Sequence, residues 1–142
     1  DSHLNFDIDL AKQQSDENPV YYLQYAHARM CNIAKRIESF GYTFAPETAP
    51  LDRLALPEER ALLYLLWWFP QVIIQVRRTL EPMTLAYYLQ EIATAFHYFY
   101  AHVRVLTDDE PLSQARLALT AACRQTLANG LAILGITAPE RM

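Results

Sequence analysis

Residues 83–106, MTLAYYLQEIATAFHYFYAHVRVL, carry the clearest apolar periodicity in the sequence. Apolar side chains recur there at steps of three and four residues, which is the spacing of one face of an α-helix. The stripe consists of Leu85, Leu89, Ile92, Phe96, Phe99, Val103 and Leu106. The pattern predicts a helix over 83–106 whose apolar face is turned towards a core.

A second helix is predicted upstream. Asn18 can cap its first turn, and Pro19 suits the first helical position. We expect it to end at Phe40, because Gly41 is a typical residue just beyond a helix. Its apolar stripe is Val20, Leu23, His27, Met30, Ala34 and Ile37. Its opposite stripe is Tyr22, Tyr25, Arg29, Asn32 and Arg36.

Two further helices complete the predicted fold. One begins at Pro57 and should kink or break at Pro70, because proline lacks the amide donor that a helix interior requires. The other spans 111–134 and ends before Gly135. The sequence of 142 residues contains only three glycines, which fits a chain with few turns. We therefore predict one all-α domain, an antiparallel bundle of four main helices, the second of them broken at a proline.

The first residues form a predicted leader. Residues 3–11, HLNFDIDLA, alternate apolar and polar side chains, which indicates a short extended segment, although it could instead lead into the following helix. Residues 1–17 hold five acids and one lysine, a net charge of −4 that equals the formal charge of the whole chain. We assign 1–17 to an extended leader and 18–142 to the helical domain.

Catalytic and metal-binding patterns are not apparent in the sequence. His27, His97 and His102 lack a cysteine or acid at the spacing of a ligand or a catalytic partner, so we predict no catalytic residue and no metal site. The two cysteines, Cys31 and Cys123, are expected to be free thiols in a reducing compartment. The most apolar run, 61–76, is shorter than the roughly 20 residues of a membrane span.

Aromatic and basic residues are interleaved on two predicted helices. Ten of the twelve basic residues are arginines. One face of the first helix carries Tyr22, Tyr25, Arg29 and Arg36, and the 83–106 helix adds Tyr100 and Arg104. Rings beside guanidinium groups suit unpaired RNA bases and their phosphates. Tyrosines at the boundary of a small core give the same sequence pattern as tyrosines that contact RNA. Arg29 could equally pair with a carboxylate, and Tyr100 could close the edge of the core.

Four stretches resemble arginyl-tRNA synthetases. NPVYYLQYAHAR, at 18–29, resembles the family signature where the catalytic domain meets the helical anticodon-binding domain, and LNFDIDLA, at 4–11, is similar to the stretch just before it. FHYFYAHVRVL, at 96–106, resembles a segment with paired aromatic residues. ARLALTAACRQTLANGLAILGITAPERM, at 115–142, resembles the C-terminal helix and its closing P-E-R-M. The two ATP-site motifs of that family, of the H-I-G-H and K-M-S-K type, do not occur in this sequence.

The resemblance implies a role within a larger cytoplasmic enzyme. Such enzymes join arginine to tRNA with ATP and magnesium, and their C-terminal domain, of the DALR type, binds the anticodon stem and loop. The leader would then be the end of the catalytic domain, and the partners would be tRNA(Arg) and that domain, with no DNA or membrane partner. This chain alone would be catalytically silent and hold no cofactor.

The residues expected at the RNA are divided between loop and stem. We assign Tyr100 and Arg104 to the loop, and Arg29 and Arg36 to the stem backbone, with Tyr22 and Tyr25 on the same face. Every arginine anticodon has a central C, so this base is the natural one to read. The alternatives are a helical protein-interaction bundle with no RNA role, in which Tyr21, Leu23 and His27 contact another domain, and a small helical enzyme.

Overall fold

The computed structural model describes residues 9, 12, 15 and 17–142. Its helices are α1 (Pro19–Lys35), α2 (Pro57–Thr79), α3 (Pro82–His102) and α4 (Glu110–Ile133). Short 3₁₀ turns occupy Ile37–Phe40, Pro46–Thr48 and Leu51–Arg53 between α1 and α2. The prediction of an all-α bundle of four main helices is confirmed. Apart from Asp9, whose backbone is helical, the extended leader predicted over 3–11 lies outside the described residues.

The core is built around α3, as its apolar stripe predicts. Phe96 and Phe99 are fully buried, together with Leu85, Leu89 and Ile92. Helix α3 packs against each of the other three main helices. Its approach to α4 is close at Gly130, where a Cβ atom would overlap the side chain of Leu89. The absence of a side chain at this position is therefore what allows α3 and α4 to meet.

Helix α1 begins where the sequence predicts and ends earlier. The Asn18 side chain accepts hydrogen bonds from the backbone N–H groups of Val20 and Tyr21, at 3.0 and 3.3 Å. The α-helical hydrogen bonds end at Lys35, and the predicted last turn is a 3₁₀ turn over Ile37–Phe40. Gly41 follows with φ of 73°, a left-handed conformation that glycine adopts without strain.

Helix α2 runs without a break through Pro70, contrary to the predicted interruption. Proline at this position cannot donate to the preceding turn, and its ring crowds the carbonyl groups there. The Tyr88 hydroxyl of α3 donates to the Leu65 carbonyl at 2.6 Å, and the Phe69 ring stacks on Tyr88 with centroids 5.8 Å apart. Packing on α3 thus supports the turn that proline weakens. Burial raises the pKa of Tyr88, which keeps its hydroxyl a donor.

Helix α3 ends at His102, four residues before the predicted end. Val103 is extended, with φ of −122° and ψ of 125°, and branched valines at 103 and 105 favour that geometry. Both valines remain buried, so the apolar stripe continues into the core after the helix has stopped. The periodicity identified core residues correctly while overestimating the length of the helix.

A buried ion pair joins α2 to α4. Glu59 is fully buried, and its carboxylate accepts from Arg116 Nε at 2.7 Å and from the Leu56 backbone N–H at 2.9 Å. The guanidinium of Arg116 also donates to the Arg104 carbonyl at 2.8 Å. Two helices and the chain after α3 are therefore held by one polar network, in which each charge has a partner.

Candidate functional site

A concavity of about 680 Å³ opens between α1 and α3. This volume is within the roughly 300–1,000 Å³ typical of small-ligand sites. Four of the six residues expected at the RNA line it: Tyr22, Tyr25, Arg29 and Tyr100. The tyrosines and Arg29 come from the outward stripe of α1, and Tyr100 comes from the end of α3, so the packing of the two helices brings the two sequence motifs together.

Arg29 lies between aromatic rings. Its guanidinium carbon is 4.6 Å from the centroid of the Tyr100 ring and 5.7 Å from that of Tyr25, distances at which a cation is attracted to an aromatic face. It donates one long hydrogen bond, of 3.4 Å, to the Tyr25 hydroxyl. The contacts described for Arg29 are thus with rings and not with the carboxylate that the sequence left open as a partner.

Tyr100 also packs against the edge of the core. Its ring stacks on Phe96 with centroids 6.0 Å apart, while its other surroundings include Arg29. Because Phe96 is fully buried, Tyr100 rests on an immobile support. Tyr100 therefore packs on the edge of the core, as one of the two sequence alternatives holds, and it also lines the concavity.

His97 and Tyr21 also line the concavity. The ring of His97 lies 5.1 Å from that of Tyr22 and 5.8 Å from that of Tyr25, measured between centroids. Tyr21 and Tyr25, one turn apart, have nearly parallel rings at 6.4 Å. His97 shares a predicted helix face with Arg104, but neither His97 nor Tyr21 is among the six residues predicted to bind RNA. Their signal was present, because 97 and 100 are three residues apart on α3 and 21 and 25 are four apart on α1.

A smaller cavity of about 210 Å³ adjoins the first one. Arg36 lines it, together with Tyr25, Arg29 and Tyr100, and Met142 from the end of the chain closes one side. The five residues Tyr22, Tyr25, Arg29, Arg36 and Tyr100 therefore follow one continuous surface along α1, which we term the α1–α3 surface.

Arg104 lies apart from Arg29. It follows the end of α3, is exposed, and lines a separate depression of about 400 Å³ with Tyr100. Its backbone carbonyl accepts a hydrogen bond from the Arg116 guanidinium, which links the chain at Arg104 to the buried ion pair. Tyr100 borders all three depressions and connects Arg104 with the α1–α3 surface.

The last residues hold α1 in place. The His27 ring donates from Nδ1 to the Pro139 carbonyl at 2.8 Å, and Gln24 donates to the Thr137 carbonyl at 2.9 Å. Lys35 and Glu140 form an exposed ion pair at 3.6 Å. The segment after α4 therefore runs beside α1, on the side that includes His27. His27 has a structural hydrogen bond, which accounts for its place on the apolar stripe.

Neither a metal cluster nor a membrane-spanning helix occurs in the part of the chain that the structure describes. No group of three or more His, Cys, Asp or Glu side chains there is arranged to hold a metal ion. None of the helices in that part combines the length and the apolarity needed to cross a membrane. Cys31 and Cys123 are free and buried, and burial raises the pKa of Cys123 to about 12.

The fold and the α1–α3 surface define a class of protein, a small helical binding domain that offers rings and guanidinium groups to a ligand. The chain belongs to the DALR anticodon binding domain family, whose family model matches residues 23–142. This match agrees with the resemblance that the sequence motifs carry.

Relatives and solved structures agree with this assignment. The chain is 47% identical to an arginine–tRNA ligase of Halorhodospira halophila and 49% identical to one of Desulfitobacterium hafniense, in each case over its full length. It spans about a quarter of these curated relatives. The arginyl-tRNA synthetase of Thermus thermophilus matches 96% of the chain with a TM-score of 0.75 and 35% identity, over 23% of that structure. A Campylobacter jejuni chain assigned to the arginyl-tRNA synthetases matches all of it with a TM-score of 0.82 and 25% identity, over 30% of that chain.

Proposed function

We propose that this chain binds the anticodon arm of tRNA(Arg) and positions the tRNA for aminoacylation by the catalytic part of a longer cytoplasmic protein. That part would bind ATP and magnesium and join arginine to the tRNA. The observation that carries the proposal is the α1–α3 surface, where Arg29 lies over Tyr100 beside a concavity of about 680 Å³. The names of the relatives, arginine–tRNA ligases, supply the identity of the RNA.

Binding would combine stacking with phosphate contacts. An unpaired base has two flat faces, and the rings of Tyr22, Tyr25 and Tyr100 are available partners at the concavity. Cytosine needs an acceptor for its amino group and donors for its ring acceptors. Arg29 can supply donors, since its described hydrogen bonding is limited to one long bond to Tyr25. Backbone groups can supply the acceptor.

Four of the six residues are assigned to the loop or the stem. Tyr100 and Arg29 form one stacked unit, so we now assign both to the loop, whereas the sequence had assigned Arg29 to the stem. Arg36 extends the same surface along α1 and remains assigned to the stem backbone. Arg104 is assigned to the loop phosphates, because it borders Tyr100 and is exposed to solvent.

The proposal is tested by binding of a fluorescent arginine anticodon stem-loop and of a stem-loop whose central C is replaced. Wild-type protein should bind the first more tightly. Tyr100→Ala should weaken binding by about 1–3 kcal/mol and reduce the difference between the two RNAs. Arg36→Ala should weaken binding of both RNAs equally and lower the slope of log affinity against log salt by about one unit.

Controls separate RNA contact from unfolding. Arg124→Ala removes the same charge from a position on α4 that lines neither cavity containing Arg29, and it should bind like wild type. Circular dichroism melting should show every variant folded. If folded Tyr100→Ala, Arg29→Ala and Arg104→Ala proteins all retain wild-type affinity and discrimination, the RNA does not bind at this surface.

A catalytic role for the chain is tested separately. We expect the chain alone to show no exchange of pyrophosphate into ATP, because the ATP-site motifs of the family do not occur in it. Exchange by the purified chain, retained after an additional purification step, would contradict this assignment of roles.

A further inference from the structure

The outer face of α2 exposes a cluster of three aromatic rings, Tyr64, Trp67 and Trp68, which we term the α2 aromatic cluster. Their exposed fractions are 59%, 68% and 40%. The Tyr64 and Trp68 rings are nearly parallel, at an angle of 9°, and Trp67 contacts both. Contiguous exposed rings on a small domain mark an interaction surface more often than isolated apolar residues do.

The charge around this cluster is positive. Between residues 60 and 80 the sequence contains Arg60, Arg77 and Arg78 and no Asp or Glu, and all three arginines are exposed. Of the acids at the start of α2, Glu59 is buried against Arg116. Glu58 lines a neighbouring groove on the side facing α3. A helix face with rings and only positive charges is complementary to a polyanion.

The α2 aromatic cluster is separate from the α1–α3 surface. Helix α2 packs on α3 and α4, and Tyr64, Trp67 and Trp68 lie outside both cavities that contain Arg29. The two surfaces nevertheless share a local arrangement. Arg60, Tyr64 and Trp68 follow each other at steps of four residues, as do Tyr21, Tyr25 and Arg29 in the opposite order. In both cases the two rings are nearly parallel with centroids 6.4 Å apart.

Two polar side chains on the same helix face indicate which kind of anionic partner fits this surface. Gln71 and Gln75 are exposed between the rings and Arg78. A bilayer would have to bury their amide groups without hydrogen-bond partners, which is unfavourable. An RNA strand offers donors and acceptors to them along its length. The face is therefore better matched to RNA than to a lipid surface.

We propose that the outer face of α2 binds an unpaired RNA strand. Bases stack on the α2 aromatic cluster, and phosphates contact Arg60, Arg77 and Arg78. The binding is tolerant of sequence, because stacking uses the faces of the bases and not their edges. This surface acts independently of the proposed anticodon site, and neither proposal requires the other.

The chain contains its own reporter for this surface. Trp67 and Trp68 are its only tryptophans, so tryptophan emission comes entirely from the α2 aromatic cluster. A short oligouridine should quench this emission in a saturable manner, and added salt should reverse the quenching. A free tryptophan derivative titrated with the same RNA corrects for absorption of light. The same quenching should occur in the Arg29→Ala/Tyr100→Ala protein, whose anticodon site is disabled.

Two variants test the roles of the arginines and the rings. Arg77→Ala/Arg78→Ala keeps both tryptophans. The slope of log affinity against log salt should be smaller in this variant, by about 0.7 for each phosphate that the two arginines neutralise in wild type. Trp67→Ala/Trp68→Ala should reduce the affinity for labelled oligouridine by about tenfold, as measured by anisotropy. Tyr87→Ala removes a ring that is 61% exposed on α3, beside the groove containing Glu58 and Glu91, and should bind like wild type.

Several outcomes would overturn the proposal. Unchanged emission at saturating oligouridine excludes stacking on the cluster. Quenching that disappears in Arg29→Ala/Tyr100→Ala protein assigns the response to the anticodon site. A blue shift with anionic phosphatidylserine vesicles but no response to RNA identifies a membrane surface. A concentration-dependent rise in mass that Trp67→Ala/Trp68→Ala abolishes, again without an RNA response, identifies contact between two copies.

Discussion

Two arginines of this domain have opposite surroundings. Arg116 is nearly buried, and its guanidinium donates at 2.7 Å to the Glu59 carboxylate and at 2.8 Å to the Arg104 carbonyl. Arg29 is half-exposed above the Tyr100 ring, and its one described hydrogen bond, of 3.4 Å, is long. Arginine thus stabilises the fold at position 116 and keeps hydrogen-bond donors available for a ligand at position 29.

The difference shows how to separate structural from functional arginines. An arginine with its donors used inside the protein contributes to stability, and its loss leaves a partner unsatisfied. An arginine held by a ring keeps donors available at its edge, because contact with an aromatic face does not use them. Substitutions in the two regions should therefore differ in whether they change the free energy of unfolding or the affinity for RNA.

The largest effect is expected where the two regions share a support. Phe96 is fully buried, and its ring stacks beneath Tyr100. Phe96→Ala should lower the free energy of unfolding by about 3–5 kcal/mol and also weaken stem-loop binding, since Tyr100 loses its support. Urea unfolding measures the loss of stability. Anisotropy, measured on the fraction that remains folded, measures the loss of stem-loop affinity. A variant as stable as wild type would show that Phe96 does not lie in the core.

Breaking the buried ion pair should affect stability alone. Glu59→Ala leaves Arg116 with an uncompensated charge and should lower the free energy of unfolding by about 3–5 kcal/mol. Glu59→Gln keeps the shape and an acceptor and should cost less. In the folded protein, stem-loop discrimination should survive in both variants. A loss of discrimination at full helicity would mean that Glu59 positions the RNA-binding residues through Arg104.

Removing Arg29 should produce the reverse pattern. A ring contact at a partly exposed site contributes only about 0.5–1 kcal/mol to stability. Arg29→Ala should therefore unfold nearly as wild type does while it loses affinity for the stem-loop. Arg29→Lys tests the planar group, because lysine keeps the charge without the fork of donors. A large drop in the unfolding midpoint would place Arg29 with Arg116 among the structural arginines.

The smallest effect concerns pH at the start of α4. The hydrogen bond from the Leu112 N–H, with Arg53 nearby, holds the pKa of Asp109 below its ordinary value of 3.8. A lowered folded-state pKa means that the stabilisation is present above the unfolded-state pKa and is lost as pH falls through the folded-state pKa. The free energy of unfolding, measured in urea, should therefore fall slightly more below about pH 4 in wild type than in Asp109→Asn. Equal pH profiles would contradict a charged Asp109 cap.

Sequence periodicity was sufficient for most of the core and insufficient for the helix ends. Val20, on the predicted apolar stripe of α1, is exposed because it lies in the first turn, beyond the contacts of the core. The stripe of α3 identified Phe96 and Phe99 because burial repeats with the helical period. It extended the helix past His102, since Val103 stays buried in an extended backbone. Helix α2 continues through Pro70, and the turn before this proline is bonded to Tyr88, a residue of the next helix, which a local rule does not include.

The sequence predicted which residues share one face of α1, but it did not predict their contacts with α3. Tyr22, Tyr25, Arg29 and Arg36 follow one helix face, so their proximity was implied by spacing. The contact of Arg29 with Tyr100 joins residues that are far apart along the chain and needed the packing of α1 on α3. Glu59 lies in the first turn of α2, where acids are common because of the helix dipole. Its burial follows from Arg116, on a different helix, and local sequence does not reveal it.

The segment beyond α4 has a consequence for synthesis of the chain. His27 and Gln24 bond to Pro139 and Thr137, which are 112 and 113 residues away. A ribosome adding about 5–20 residues per second makes α1 many seconds before it makes these partners. One side of α1 therefore stays uncovered until residues 137–139 have left the exit tunnel. Helix α1 is thus completed only after α4, and changes that displace the backbone at 137–139 should affect side chains 112 and 113 residues earlier in the sequence.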